Sequence, residues 1–288
     1  MKTTILITGA TDATGRPTAK GLLKKGHSVR AFAHGEDDRS KRLQDLGAEM
    51  VFGDLLDFDS VRSAFKGVQR AYFVYPIRPG LVQATAQFAQ AAKEAGAAFI
   101  VNMSQKSARQ DSKSHAALEH WLAERVFDWS GMPVAHLRPT YFTEWLLYMV
   151  PMIRQGRMSV PFGPTGRHAP VAAEDQASVI AGILDNPDPH AGKIYPLFGP
   201  VELTQPEIAA IVGHVLGKEI KYEQVTSEKF VESVSGKPVP HLAQHLHEVA
   251  IDHHDGIFAG TNNLIQEIGG RQPMTVEQFV TKHREAFR

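Results

Sequence analysis

The feature that most constrains this chain is an apolar strand running directly into two glycines and a helix, in ITGATDATGRPTAKGLL, residues 7–23. Thr3–Thr8 reads as a buried strand and Gly15–Lys25 as an amphipathic helix, so the glycines fall between a strand end and a helix start. Gly9 permits a tight turn there, and Gly15 lets the helix pack close against the strand. The amide protons of the first helical turn then have no partner within the helix and suit an anion. This setting turns a common glycine pattern into a specific one.

The same alternation continues down the first half. Ser28–Ala33, Glu49–Phe52, Ala71–Tyr75, Ala98–Met103 and Pro133–Leu137 read as strands. Arg39–Leu46, Asp59–Phe65, Leu81–Ala95 and Ser114–Ser130 read as the helices between them. The strands are nearly continuous apolar runs, as a parallel sheet covered on both faces requires. The expected architecture is α/β: a Rossmann-type doubly wound parallel sheet with a smaller C-terminal α/β substrate lobe. Residues 1–150 are expected to form the NAD(P)-binding domain. Residues 151–288 form the substrate lobe, with some strands rejoining the sheet. In that half Phe142–Ile153 reads as one helix and Arg157–Gly166 as a loop or small strand. Asp175–Leu184 reads as a helix capped by Glu174 or Asp175, and Lys193–Phe198 as a strand. Thr204–Leu216 carries a capping box of Thr204 and Glu207. Ile220–Glu223 is a short strand, and helices are expected near Ser227–Ser233, Pro240–Ile251 and Thr275–Ala286.

Charge narrows the partners. The 31 Lys and Arg balance 31 Asp and Glu, which argues against duplex nucleic acid or an anionic membrane. No apolar run reaches the ~18 residues that span a bilayer. The opening MKTTILITGA reads as a strand rather than a secretory leader, so a cytoplasmic protein is expected. The absence of cysteine excludes disulfides and thiolate metal sites. His241, His245 and His247 have near-helical spacing, with His253 and His254 following, but no HExxH pattern accompanies them and no metal is expected.

A dinucleotide's pyrophosphate would lie on Gly9, Thr11, Asp12, Ala13, Thr14 and Gly15. FGDLLD follows the third strand, where Asp54 is placed to accept from the adenine amino group and Leu55 to pack on the ring. Val74, Tyr75 and Pro76, at the end of the fourth strand, fall beside the nicotinamide ribose.

TGATDATGRP, VRAFAH, GAEMVFGDLLD, HAALEHWL, HLRPTYFTEWLL and the closing TNNLIQEIGGRQPMTVEQFV together resemble the NmrA-like family of atypical short-chain dehydrogenases. That branch includes triphenylmethane reductase and NAD(P)H:quinone reductases. The resemblance runs through nearly the whole chain. It implies that position 12, normally glycine, carries an unusual Asp12. A carboxylate there repels phosphate by about 1 kcal/mol at 4 Å in water, unless it turns aside to cap the helix. The family usually ends its second strand VRALVR, the last arginine binding the 2′-phosphate of NADP; here His34 stands in that place. Arg39, Lys41 and Arg42 follow, beside Glu36, Asp37 and Asp38. NADP (NADPH) is favoured over NAD.

None of the six tyrosines is followed four residues later by lysine, so the YxxxK proton-transfer pair is missing. The resemblance leaves Ser104, His115 (opening an HxxLE element like the HxxTE of the family's quinone reductases) and Tyr141 as candidate catalytic groups. Pro139 and Tyr141 are expected beside the nicotinamide, with Phe142, Trp145 and Tyr148 lining the substrate. The expected reaction is direct hydride transfer to a conjugated or aromatic small molecule, such as a quinone, dye or enone. The alternative is a NAD(P)-binding redox sensor acting through a partner protein. A homodimer is compatible with either.

Overall fold

A computed structural model describes residues 3–288. In the first half β1 (Thr4–Ile7), β2 (Ser28–Ala33), β3 (Glu49–Phe52), β4 (Arg70–Phe73), β5 (Phe99–Met103) and β6 (Val134–Pro139) are strands. They are joined by α1 (Gly15–Lys24), α2 (Asp38–Asp45), α3 (Phe58–Ala64), α4 (Leu81–Glu94) and α5 (His115–Trp129). Then come α6 (Trp145–Tyr148), α7 (Val150–Arg154), β7 (Arg157–Val160), α8 (Ala173–Asp185), β8 (Ile194–Leu197) and α9 (Gln205–Leu216). The chain closes with β9 (Lys221–Gln224), α10 (Ser227–Ser235), α11 (Pro240–His254), α12 (Leu264–Gly269), α13 (Val276–Lys282) and α14 (Arg284–Phe287).

The main sheet has the order β3-β2-β1-β4-β5-β6-β8, with every neighbouring pair parallel. Alternation along β1 covers both faces: Ile5 and Ile7 pack with Leu22 of α1, Ile180 and Leu184 of α8 and Ile265 of α12. Leu6 packs on the other face with Phe65, Phe88 of α4 and Phe127 of α5. This is the Rossmann-type doubly wound fold. Strand order reverses between β1 and β4, and a crevice opens there at the carboxyl ends of the strands.

A second core lies beyond the sheet. Ile153, Met158, Val212, Phe230, Val280 and Phe287 pack together around the two-stranded parallel pair β7-β9. The chain passes between the two cores five times. It leaves after β6, returns for α8 and β8, leaves for α9 to α11, returns for α12 and ends in the second core. On α11, Asp252 accepts two hydrogen bonds from Arg109, at 2.7 and 2.6 Å, and His245 Nδ1 lies 2.7 Å from Ser114 Oγ. Both partners sit in the connection between β5 and α5. Among the described residues no helix is long and apolar enough to cross a membrane.

Several expected elements are corrected. Phe142–Ile153 is not one helix: it breaks at Met149 into α6 and α7, because Pro151 has no amide proton to continue the ladder. Thr275–Ala286 divides at His283 into α13 and α14. Within Arg157–Gly166 only Arg157–Val160 is strand. Neither Glu174 nor Asp175 caps α8; both lie inside it. The carboxylate of Glu144, distant in sequence, accepts from Ala173 N through both oxygens, each at 3.0 Å. The helix α12 was not expected, although Asn263 before it and two glycines at its end are ordinary start and stop signals.

Candidate functional site

The turn after β1 is built as a cradle. Gly9 has φ +53°, a left-handed conformation that L side chains rarely adopt, and a methyl group on it would lie 2.7 Å from Val74 Cγ1. Asp12 N donates to Gly9 O at 2.9 Å, closing the turn. A methyl group on Gly15 would collide with the carbonyl oxygen of Gly9. The first turn of α1 has no side-chain cap and no acidic residue, because the Thr14 hydroxyl is engaged below with the Tyr72 hydroxyl at 2.8 Å. Uncapped amides at a helix start fit a pyrophosphate. The cleft above holds about 500 Å³. Of the expected cofactor residues, Gly9, Thr11, Asp12, Ala13, Thr14, His34, Arg39, Leu55 and Val74 line it together.

The others lie elsewhere. Gly15 shapes the turn from beneath. Asp54 turns its carboxylate to the amide of Leu56, at 2.9 Å, leaving Gly53 and Leu55 to face the cleft. Tyr75 is buried, and its hydroxyl donates to Pro79 O at 3.1 Å. Pro139 is buried at the end of β6. Pro76 lines the cleft with Val74, and the structure adds Phe32 and Arg78. Arg78 follows β4, and a loop at a strand's carboxyl end in this fold is where ligand contacts gather, a signal present in the sequence.

The rim of the cleft carries opposed charges. Asp12 does not cap α1; its carboxylate stands 3.6 Å from the Arg39 guanidinium, which also binds Asp37 at 2.8 Å. Desolvation in the cleft pushes the Asp12 carboxyl above its usual range, with Arg39 opposing the shift and Asp37 adding to it. On the other side of the rim, Arg78 NH2 lies 3.3 Å from His34 Nε2.

Beside the cleft is a narrow apolar pocket formed by Tyr141, Phe142, Trp145, Met149, Phe162 and His168, with Gln205, Phe230 and Val276 among its walls. Tyr141 is wedged against Phe162, His168 and Phe258 at ring distances of 4.6, 5.3 and 5.7 Å. Its hydroxyl has no hydrogen-bond partner among the described residues, and burial raises its pKa well above the usual phenol value. His168 lies 3.1 Å from His253, and burial pushes His168 down to about 3 and His253 to about 4, so the pair is uncharged. Phe142 lines both the pocket and the cleft, the one residue to do so among those described. Free space in the pocket is about 40 Å³. An aromatic ring needs a cavity of roughly 150 Å³, so a ring can enter only if a wall side chain moves.

The remaining candidates line neither cavity. The Ser104 hydroxyl donates to Glu124 at 2.6 Å, and Arg138 clamps the same buried carboxylate at 2.8 and 2.5 Å. His115 is exposed at the start of α5, its backbone amide donating to Gln244. Tyr148 is 60% exposed, stacked outside Trp145. Phe162, His168, Gln205, Phe230 and Val276 were not anticipated. They come from four separate stretches of the second half, and no local pattern marks them.

The profile of the NmrA-like family matches residues 1–279. The chain is similar to an NAD(P)H azoreductase from Xenophilus azovorans, 28% identical over 98% of this chain and 99% of that one. An NADPH-dependent quinone oxidoreductase from Escherichia coli, solved with NADPH, superposes with a TM-score of 0.84 at 24% identity, covering 97% of this chain and 99% of that one. The negative transcriptional regulator NmrA, solved with NADP, gives a TM-score of 0.80 at 17% identity over 98% and 95% of the two chains. The two structural likenesses establish the shared fold.

Proposed function

The chain belongs to the NmrA-like family, and from that membership we propose that it is an NAD(P)H-dependent oxidoreductase acting on conjugated or aromatic small molecules. The observation that carries this reading is the shared wall at Phe142: a cleft fit for a dinucleotide abuts a pocket lined by aromatic rings. Its similarity to an NAD(P)H azoreductase over almost the full length of both chains supports the same reading. Quinone-, dye- and enone-like acceptors are the proposed substrates, and NADPH the favoured cofactor, in line with the NADPH and NADP held by the two similar structures.

The bound nicotinamide would supply hydride, and the chain supplies position and a dry wall. The α1 amides and the Gly9 turn hold the diphosphate. Phe142 and Trp145 orient a flat acceptor and exclude water. Tyr141 keeps its proton at neutral pH, so it serves as a neutral hydrogen-bond donor to a carbonyl oxygen rather than as a base. The neutral His168–His253 pair adds no charge to the pocket. Ser104 and Arg138, both spent on Glu124, hold the end of β5 to β6 and α5.

The test is oxidation of NADPH, followed by its absorbance, with a panel of quinones, azo dyes and enones. Turnover with at least one class is expected. Tight cofactor binding with no turnover across the panel would replace this reading with a second one. In that second reading the chain is a dinucleotide-binding regulator that signals to a partner protein. The narrowness of the pocket favours it.

A further inference from the structure

The rim of the cleft holds two arginines in different electrostatic states. Arg39, one of the basic residues that follow the end of β2, is already answered twice, by Asp37 at 2.8 Å and by Asp12 at 3.6 Å. The local sum of those three groups is one negative charge. Arg78 has no carboxylate within salt-bridge distance among the described residues. It is nevertheless fixed in place. Its guanidinium lies over the Tyr75 ring, 5.2 Å from the centroid, and its Nε donates to the Tyr75 hydroxyl at 3.3 Å. Tyr75 is itself buried and anchored to Pro79 O. The free edge of the guanidinium faces His34, at the end of β2, with NH2 3.3 Å from Nε2. An arginine only donates, so Nε2 is the acceptor in that contact.

In a doubly wound sheet the end of the second strand is where the adenosine ribose lies, and a nearby arginine accommodates the 2′-phosphate of NADP. Here that strand ends in an imidazole. We propose that Arg78, delivered from the loop after β4 and held by Tyr75, is the group that binds the 2′-phosphate and selects NADPH over NADH. Arg39 is not that group. The inference rests on the cofactor reading above and assigns a specificity that reading leaves to the β2 end. A planar guanidinium on a rigid aromatic support loses little freedom on binding phosphate through two donors. Tyr75 is accordingly a positioning residue rather than a cofactor contact.

The test is calorimetric. Dissociation constants for NADPH, NADH and adenosine 2′,5′-bisphosphate are measured on the natural chain and on Arg78→Gln, Arg78→Lys, Arg39→Gln and Tyr75→Phe. Thermal unfolding is followed in parallel. Hydrogen bonds to a charged group correspond to about a 10–100-fold change in affinity. Arg78→Gln should weaken NADPH and the bisphosphate by that factor and leave NADH within about threefold. Arg78→Lys should recover part of the loss, and Tyr75→Phe should show a smaller, NADPH-selective loss. Arg39→Gln, which leaves Asp12 and Asp37 unanswered, should weaken both dinucleotides and change their ratio by less than Arg78→Gln does. Equal weakening of both dinucleotides by Arg78→Gln overturns the proposal, as does a selective loss confined to Arg39→Gln. If the natural chain binds neither dinucleotide, the cofactor reading itself fails. If it binds NADH and NADPH equally and no variant separates them, only the role of Arg78 fails.

Discussion

The two cavities that meet at Phe142 are built on opposite principles. The cleft is open, about 500 Å³, and rimmed by Asp12, Arg39, His34 and Arg78. Its floor is backbone, fixed by close contact between Gly9 and Gly15. The pocket is tight, about 40 Å³, and walled by large side chains from separate parts of the chain. The first is pre-organised for a charged ligand; the second admits a ring only through side-chain movement. A backbone cradle tolerates no added atom, whereas a side-chain wall can be trimmed and still function.

The sharpest way to break this contrast is Gly15→Ala. The added methyl meets the backbone of Gly9 and Ala10 rather than a movable side chain, so dinucleotide affinity should fall by ~100-fold or more, read by calorimetry. Retained affinity would mean that the cradle is not rigid. Tyr141→Phe should lower kcat for quinones and enones by roughly 100-fold, as for loss of one oxyanion donor, with the NADPH Kd unchanged. Cationic dyes, which take hydride without a proton, should be spared. Phe142→Ala, which widens the tight pocket but removes a wall that orients the acceptor, should lower KM for bulky acceptors by roughly tenfold while lowering kcat for small quinones. A loss of NADPH affinity with no change in KM would mean that Phe142 serves the cleft and not the pocket.

The mildest effect at neutral pH is the most informative about the second core. His120 and His168 are held down to about 3, and His245 and His253 to about 4, chiefly by burial. Their unfolded counterparts titrate near 6.5, so the unfolded chain binds more protons through that window. The stability they support is complete above pH 6.5 and is lost as pH falls toward 4. Glu144 runs the other way, its buried carboxyl pushed up to about 7, so its contribution is present below 4.5 and is lost as pH rises through 7. Four groups against one give a net gain in stability from pH 4 to 6.5. Thermal unfolding across that range should show it, and His168→Gln should flatten the slope.

The same contrast explains what the sequence disclosed. The cleft was legible because its signal is local: a strand end, two glycines and a helix start lie within one short segment. Tyr141, Phe142 and Trp145 were legible through the HLRPTYFTEWLL resemblance. The rest depends on distant meetings. Glu144 caps α8 across a long sequence gap, where acidic residues inside the helix had looked sufficient. Ser104 sits at the end of β5 as expected, but its hydroxyl is committed to a glutamate on α5. Arg78 gained meaning only when the fold brought it to His34. No periodicity encodes which side chains from different elements will face one another.

The five passages of the chain between its two cores have a mechanical consequence. Two bodies joined by one linker can swing apart as a clamshell, on the microsecond-to-millisecond scale of hinge motion. Bodies stitched by several parallel strands of covalent chain, and riveted along α11 by Arg109 and Ser114, have no free axis to turn about. Access to the aromatic pocket therefore falls to its wall side chains, whose rotamers flip far faster than domains move. Admission of an acceptor would then be limited by its rate of encounter rather than by the breathing of the whole molecule.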